Sequence, residues 1–588
     1  MKTIASGLFV FGMVLCALSG PSAAESKPRL VMPTEIAADP LAQPAVQWKP
    51  QELRLAASDE HPWWSFPATA GFTHEATGKR LVVEAFWDGG RDWVVRFAAP
   101  QPGVWTWQTS SDDAGLDDRS GRLEVRPPTE DETTGNPNYR GHLKINSGGR
   151  FFEYADGTPI FVLADTLWSG NTARCGLGER HDGPFFQYLA DRKAKGFTAV
   201  LIKYLNGFDD GPPNPTGERN EGGYVFLRRD LGRLNPAYFR ALDERMEAIW
   251  AHGLAAAIPA AWWGKTKQCA FDIHQAKRIS AYCAVRYGAY NALWCLSGEY
   301  QYAFNDCGWT EESFNDLGRT VQAHNPYGHP LSIHPSSRLD WALPHNCQSS
   351  RPYHESQWLD HHWLQTGQSV DRVHNIAARA EENRALSPPR PVFCSEGYYD
   401  VAVDPDQAYH ARWQAWVAML GGCAGYGYGA HGIWQFFDPA DPQGETGKKE
   451  KRVVPWPQAL RFEGSATMRP LREFVSSRPW WQLQPRRDCL LVDGNPCSRP
   501  TAADLTPPHC AGSPGRLYVV YVPRGNASRA LKLVKLAAGR YQAVWLDPRT
   551  GQTTSPADVP AGPNEWLIPP RPAPADEDWV LCLRTAEE

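Results

Sequence analysis

The chain has 588 residues, a formal charge of −5 and a mean hydropathy of −0.48. That length exceeds one ordinary core and calls for about two to four domains. The small net charge, with no block of like charge, excludes a nucleic-acid arm and a polybasic membrane anchor.

Met1-Lys2 precede an apolar run from Ile4 to Leu18, and Pro21-Ser22-Ala23-Ala24 follow as a small-residue cleavage site. The run is short for a membrane span, so residues 1–24 read as a signal peptide cut after Ala24. Leu15 stands before Cys16, where lipoprotein processing needs a small residue, which argues against lipidation. The expectation is a secreted or periplasmic protein with no membrane anchor after cleavage. Twelve cysteines then remain, none in CxxC spacing. An oxidising compartment favours a few disulfides, whose pairing is not legible. Cys295 and Cys394, inside apolar runs, read instead as buried small hydrophobes.

Residues 25–135 read as an N-terminal β-sandwich: "LVVEAFWDGGRDWVVRFAAPQPGVWTWQTSS" gives short Val/Phe/Trp runs broken by Asp-Gly-Gly and Gln-Pro-Gly turns. "RPPTEDETTGNPN" has the composition of a linker. From residue 141 to 480, apolar strands alternate with helical stretches. The strands are "GTPIFVLADTLW", "FTAVLIKYLN", "LAAAIPAAWW", "NALWCLSGE", "HPLSIHPS", "WLDHHWLQ", "RPVFCSE" and "GYGYGAHGIWQF". Eight such units give an α/β fold, a (β/α)8 TIM barrel. Residues 485–588 return to short strands ("RLYVVYVP", "ALKLVKL", "YQAVWLDPRTGQ", "DWVLCLRT") and read as a C-terminal β-sandwich.

Chemistry in such barrels sits at the C-terminal ends of the strands. Glu299 ends the fourth strand and Glu396 the seventh, 97 residues apart, or three βα units of roughly 31 residues. Two carboxylates facing each other across the mouth match a retaining glycosidase, whose acids stand ~5–5.5 Å apart. A single strand-end Glu is as often a partner for a rim Arg or Lys, but two at this spacing favour catalysis. The substrate expected is a carbohydrate, and the 69 aromatic residues suit either sugar stacking or a β-rich core.

Four stretches, "IFVLADTLWSG", "LWCLSGEY", "PVFCSEGYYD" and "GYGYGAHGIW", resemble the apiosidase-like glycoside hydrolases, barrel enzymes related to a large retaining clan. The N-terminal "FWDGGRDWVVRFAAPQPGVWTW" is similar to the sandwich that often precedes this barrel. The tail "YVVYVP…YQAVWLDPRTGQ" resembles the sandwich, named for collagen binding, that often follows it. The resemblance implies that Glu299 is the acid/base and Glu396 the nucleophile. The wider clan carries Asn before its acid/base, whereas Gly298 stands here, as in the apiosidase-like branch. That branch often has Asp at the acid/base position, and Glu299 is one methylene longer.

Other strand-end residues complete the candidate site. Asp165 accepts a sugar hydroxyl or caps the following helix, and Trp168 follows it. Lys203, ending the second strand, meets a sugar hydroxyl or acidic substituent, or forms a rim salt bridge. Tyr399 orients the nucleophile, with Tyr398 facing away, and Trp434 forms a sugar platform. Eight of seventeen histidines lie between His324 and His374. Without an HExxH helix, they read as sugar-bonding loop residues, with His334 and His361 at strand ends. No metal and no cofactor are expected. The alternative to an enzyme is a non-catalytic carbohydrate-binding or matrix-attachment protein on a barrel scaffold.

Overall fold

A computed structural model describes residues 32, 34–35, 44–205, 219–227, 232–259, 261–263, 271–337, 347–440, 453–554, 557–559 and 565–585. The expected signal peptide, residues 1–24, lies outside them. Eight parallel strands form the centre: β1 (Val162–Thr166), β2 (Ala199–Leu201), β3 (Ala255–Pro259), β4 (Ala292–Cys295), β5 (Leu331–Ser332), β6 (His362–Gln365), β7 (Val392–Glu396) and β8 (Gly425–Ala430). They are hydrogen-bonded in the order β5-β4-β3-β2-β1-β8-β7-β6, and every residue of these strands is buried, so polarity along a strand marks no face. The β5–β6 seam is stitched by Asp360, whose N–H donates to Leu331 O (2.8 Å) while its carboxylate accepts from Leu331 N (2.9 Å). Ser332 Oγ adds a bond to His361 O at 2.6 Å.

Helices α1 (Pro184–Ala194), α2 (Pro236–Ala251), α3 (Ile273–Tyr287), α4 (Glu311–Ala323), α5 (Ser350–Tyr353), α6 (Val373–Arg384), α7 (Gln407–Leu420) and α8 (Met468–Ser476) follow strands β1 to β8 in turn. The start of α2 shows the local logic. Asn235 accepts from Ala237 N–H, Pro236 occupies the first turn, and Phe239, Leu242, Met246 and Ile249 are buried on one side. No helix among the described residues is long and apolar enough to cross a membrane.

Two N-terminal sheets enclose Phe72 stacked on Phe97 (centroids 3.8 Å apart) with Trp93 and Trp105. They dock on the barrel through a buried charge cluster. Arg96 bonds Glu52 (2.6 Å) and meets Asp243 of α2, while Arg286 of α3 bonds Asp243 (2.5 Å) and Asp88 (3.0 Å). At the other end, a six-stranded and a four-stranded sheet carry the C-terminal strands. Their Asp578, fully buried, takes Arg412 of α7 at 2.6 Å and Tyr521 Oη at 2.8 Å.

The expected linker is not structureless. Glu130–Gly135 forms a helix closed by a capping box between Thr129 and Glu132, a Thr-x-x-Glu signal that the stretch's polarity obscured. A three-stranded sheet (Leu143–Ile145, Phe152–Tyr154, Pro159–Ile160) precedes β1. Its Phe152 packs edge-on against His361 at 5.1 Å, so it covers the N-terminal end of the barrel. Ten described cysteines are free and buried, Cys295 and Cys394 among them, and Cys307 is disulfide-bonded.

Candidate active site

At the C-terminal end of β7, Glu396 is 3 % exposed. Gln365, the last residue of β6, donates to its Oε1 at 2.7 Å, and Gln368 donates to the same oxygen at 2.9 Å. His334, just past β5, brings Nε2 to 3.4 Å from the other oxygen, Oε2. Burial by itself would raise this carboxyl's pKa. Contact with His334, then Gln368 and Gln365, outweighs it and holds the group below the ordinary carboxylate range. A register shift between Leu364 and Gln365 sets Gln365 beside Glu396, the re-aiming that a β-irregularity provides.

His334 is itself positioned. Ser395 Oγ donates to Leu364 O at 2.9 Å, so its lone pair is what faces His334 Nδ1 at 3.0 Å. The backbone around His334 also reaches the second acid, because His334 N–H donates to Ser297 O and Tyr300 N–H donates to His334 O. Those two bonds bracket Glu299.

Glu299 is partly exposed and sits at φ 40°, in the left-handed region, at a cost of about 1–2 kcal/mol for a residue with a side chain. Its Oε2 accepts from Trp262 Nε1 at 3.2 Å. Gly298 explains how the indole gets there: a Cβ at 298 would lie 2.1–2.5 Å from three carbons of the Trp262 ring. The glycine is required for this close approach, while the turn itself is taken by Glu299. Trp262 also meets Trp168 edge-to-face (4.6 Å), His334 (6.3 Å) and the Lys203 ammonium (5.5 Å from the ring centroid). One aromatic cluster therefore touches both acids.

Tyr399 is 1 % exposed, with its ring against Gly429 of β8, where a Cβ would come to 2.3 Å. Burial, then the neighbouring Glu396 charge, keeps its hydroxyl well above its ordinary pKa. Among the described residues, Tyr399 Oη, Gln365 Oε1 and Thr166 Oγ1 are buried polar atoms without a hydrogen-bond partner. Unsatisfied groups gathered at one place are what a polar ligand would satisfy. Tyr398 turns away onto Asp404. Trp434 is partly buried and donates to His431 Nδ1 at 3.3 Å; His431 lies 6.0 Å from the Tyr399 ring, so Trp434 borders the same mouth.

Two expected contacts lie elsewhere. Asp165 is fully buried and bonds Arg192 Nε of α1 at 2.6 Å, so it points from β1 outward to the helix layer and Thr166 takes the inner position. His361 precedes the first residue of β6, at the N-terminal end, where Trp363 Nε1 donates to it at 2.7 Å and burial lowers its pKa to about 3. Three site residues went unread in the sequence. Trp262 was visible just past the third strand and Gln365 as the last residue of the sixth; Gln368, in a loop, carried no signal.

The apiosidase-like catalytic domain matches residues 146–482, more than half of the chain. A domain of unknown function, DUF5060, matches residues 45–112, and a domain described as a collagen-binding domain of a collagenase matches 508–584. A solved glycoside hydrolase from Bacteroides vulgatus ATCC 8482 is 18 % identical, with TM-score 0.64, covering 92 % of this chain and 100 % of its own. A glycoside hydrolase family 5 protein from the same organism, also 18 % identical, has TM-score 0.62 and coverages of 77 % and 94 %. No curated protein matches the chain in sequence.

Proposed function

Because the chain belongs to the apiosidase-like glycoside hydrolase family, we propose that it hydrolyses its glycosidic bond with retention, with Glu396 as nucleophile and Glu299 as acid/base. The observation that carries this reading is the asymmetry of the two acids. Glu396 is buried and kept ionised, as a nucleophile must be. Glu299 is partly exposed, as suits a group that must protonate a departing oxygen and then meet water.

Oε1 of Glu396 is engaged by two glutamines, and Oε2, which has only the longer 3.4 Å contact with His334 Nε2, is the attacking oxygen. Oε2 bonds to the anomeric carbon as the C1–O bond breaks, and Glu299 delivers its proton to the departing oxygen. Water then attacks the glycosyl ester, Glu299 accepts the water's proton, and Glu396 leaves as a carboxylate. Trp168, Trp262, Lys203 and Trp434 form the walls that hold the sugar. The substrate class is a plant- or algal-type poly- or oligosaccharide, met outside the cytoplasm after cleavage of residues 1–24.

The test is nucleophile rescue. Glu396→Ala should lose several orders of magnitude in turnover and, with azide, release a glycosyl azide of inverted configuration. Glu299→Ala with azide should give the retained azide. Normal turnover of Glu396→Ala on any glycan that the wild type cleaves removes Glu396 from this role. A panel of pectic, hemicellulosic and algal glycans, scored by product analysis, identifies the substrate.

A further inference from the structure

At the opposite end of the barrel from the two acids, a cleft of about 490 Å3 opens beside the last turn of α6. Its lining brings together two guanidiniums, Arg150 and Arg384, with the rings of Phe151 and Trp481 and the amides of Gln482 and Gln484. We propose that this cleft is a second glycan-binding site, specific for anionic sugars.

The charge arrangement carries the argument. Arg150 Nη1 donates to the backbone oxygen of Arg384 at 2.6 Å, so the two cations are held as neighbours. Neither forms an ion pair among the described residues. Burial, then the Arg150 charge, lowers the Arg384 pKa from its ordinary value. The acids nearest along α6 are already committed: Glu381 pairs with Arg487, and Glu382 with Arg351 and Arg379. A third cation, Arg516, is anchored on Gln482 Oε1 at 3.0 Å. Like charges clustered without a counter-ion are relieved by an anion, and guanidinium forks match carboxylate or sulfate oxygens two at a time.

The site is built rather than incidental. Arg384 lies along Gly422 (φ 91°), where a Cβ would meet its Cδ at 2.9 Å. Trp480 is buried edge-on against Phe161 at 5.2 Å, which fixes the turn that presents Trp481. Phe151 stands 6.3 Å from Trp481. An indole face at the edge of a cationic cleft suits the apolar C–H face of a sugar ring, and the amides suit its hydroxyls. The volume is that of a small-ligand site. Because it lies behind the barrel, the cleft holds a polymer away from the bond being cut.

This inference rests on the carbohydrate reading but not on the chemistry, so it is tested by binding. Calorimetry on full-length Glu396→Gln protein would compare an oligogalacturonate, a sulfated agaro-oligosaccharide and a neutral cello-oligosaccharide of equal length. The uronate, the sulfate or both should bind more tightly than the neutral sugar, which also tells the two anion sources apart. Arg150→Gln and Trp481→Ala, added singly, should each weaken that binding about tenfold. In the otherwise wild-type enzyme they should leave turnover of a short neutral substrate unchanged. If Arg384→Gln does not fold, the half-exposed Arg150 decides. Equal binding of all three sugars, or unchanged anion affinity in Arg150→Gln, overturns the proposal.

Discussion

Gly298→Ala is the sharpest test of how the Glu299 carboxylate is held. A methyl group there would stand 2.1 Å from one Trp262 ring carbon and 2.3 and 2.5 Å from two others, against an ordinary carbon separation of about 3.5–4.0 Å. The indole is rigid, so it must retreat by more than about 1 Å, and the 3.2 Å bond from its Nε1 to Glu299 Oε2 cannot survive that shift. Overpacking of this kind costs about 1–3 kcal/mol of stability. A reacting group misplaced by 1 Å costs about a hundredfold in rate. The expected result is a fold that survives, seen as a cooperative urea transition at lower midpoint, with kcat reduced about a hundredfold. Trp262→Phe is the control: it removes the N–H but not the packing, so it should lose less stability while still impairing kcat. A Gly298→Ala enzyme with wild-type kcat/KM would refute the claim that the indole packed on residue 298 sets the acid.

Three further outcomes follow from the same geometry. In His334→Ala the groups that lower the Glu396 pKa are weakened while burial still raises it, so the acid limb of the kcat/KM profile should move to higher pH. Asp165→Asn should destabilise the barrel, by about 3–5 kcal/mol for breaking a buried ion pair in urea unfolding, and leave KM unchanged; a selective rise in KM would restore Asp165 to the sugar site. Asp400 is buried, and its pKa is raised to about 8 mainly by that burial. The folded chain therefore holds a proton that the unfolded chain has released above about pH 4. Stability should fall as pH rises from about 4 to about 8 and then level off, and Asp400→Asn should flatten that slope in a pH series of urea midpoints.

Particular residues show how much of this was legible in the chain. Glu299 and Glu396 were readable because an apolar run that ends in a carboxylate, repeated three βα units later, is a pattern in one dimension. The glycine-rich "GYGYGA" was readable as a strand, but not the reason for its glycines: Gly427 has Ser395 O within 2.0 Å of where a Cβ would stand, and Gly429 has the Tyr399 ring. Trp262 was legible as an aromatic after the third strand, yet its bond to Glu299 spans 37 residues.

The order of strands and helices, the flanking sheets and the two acids were determined by the sequence itself, through apolar periodicity, turn residues and spacing. Only the tertiary structure decided which way each strand residue points. A parallel strand buried on both faces reads as one unbroken apolar run, so nothing in "FVLADT" distinguishes Asp165, turned out to Arg192, from Thr166, turned in. The same ambiguity placed His361 at the wrong end of β6 and hid Gln365, whose partner lies 31 residues away. Contacts between strands depend on register and on a one-residue irregularity, and neither leaves a mark on the local sequence.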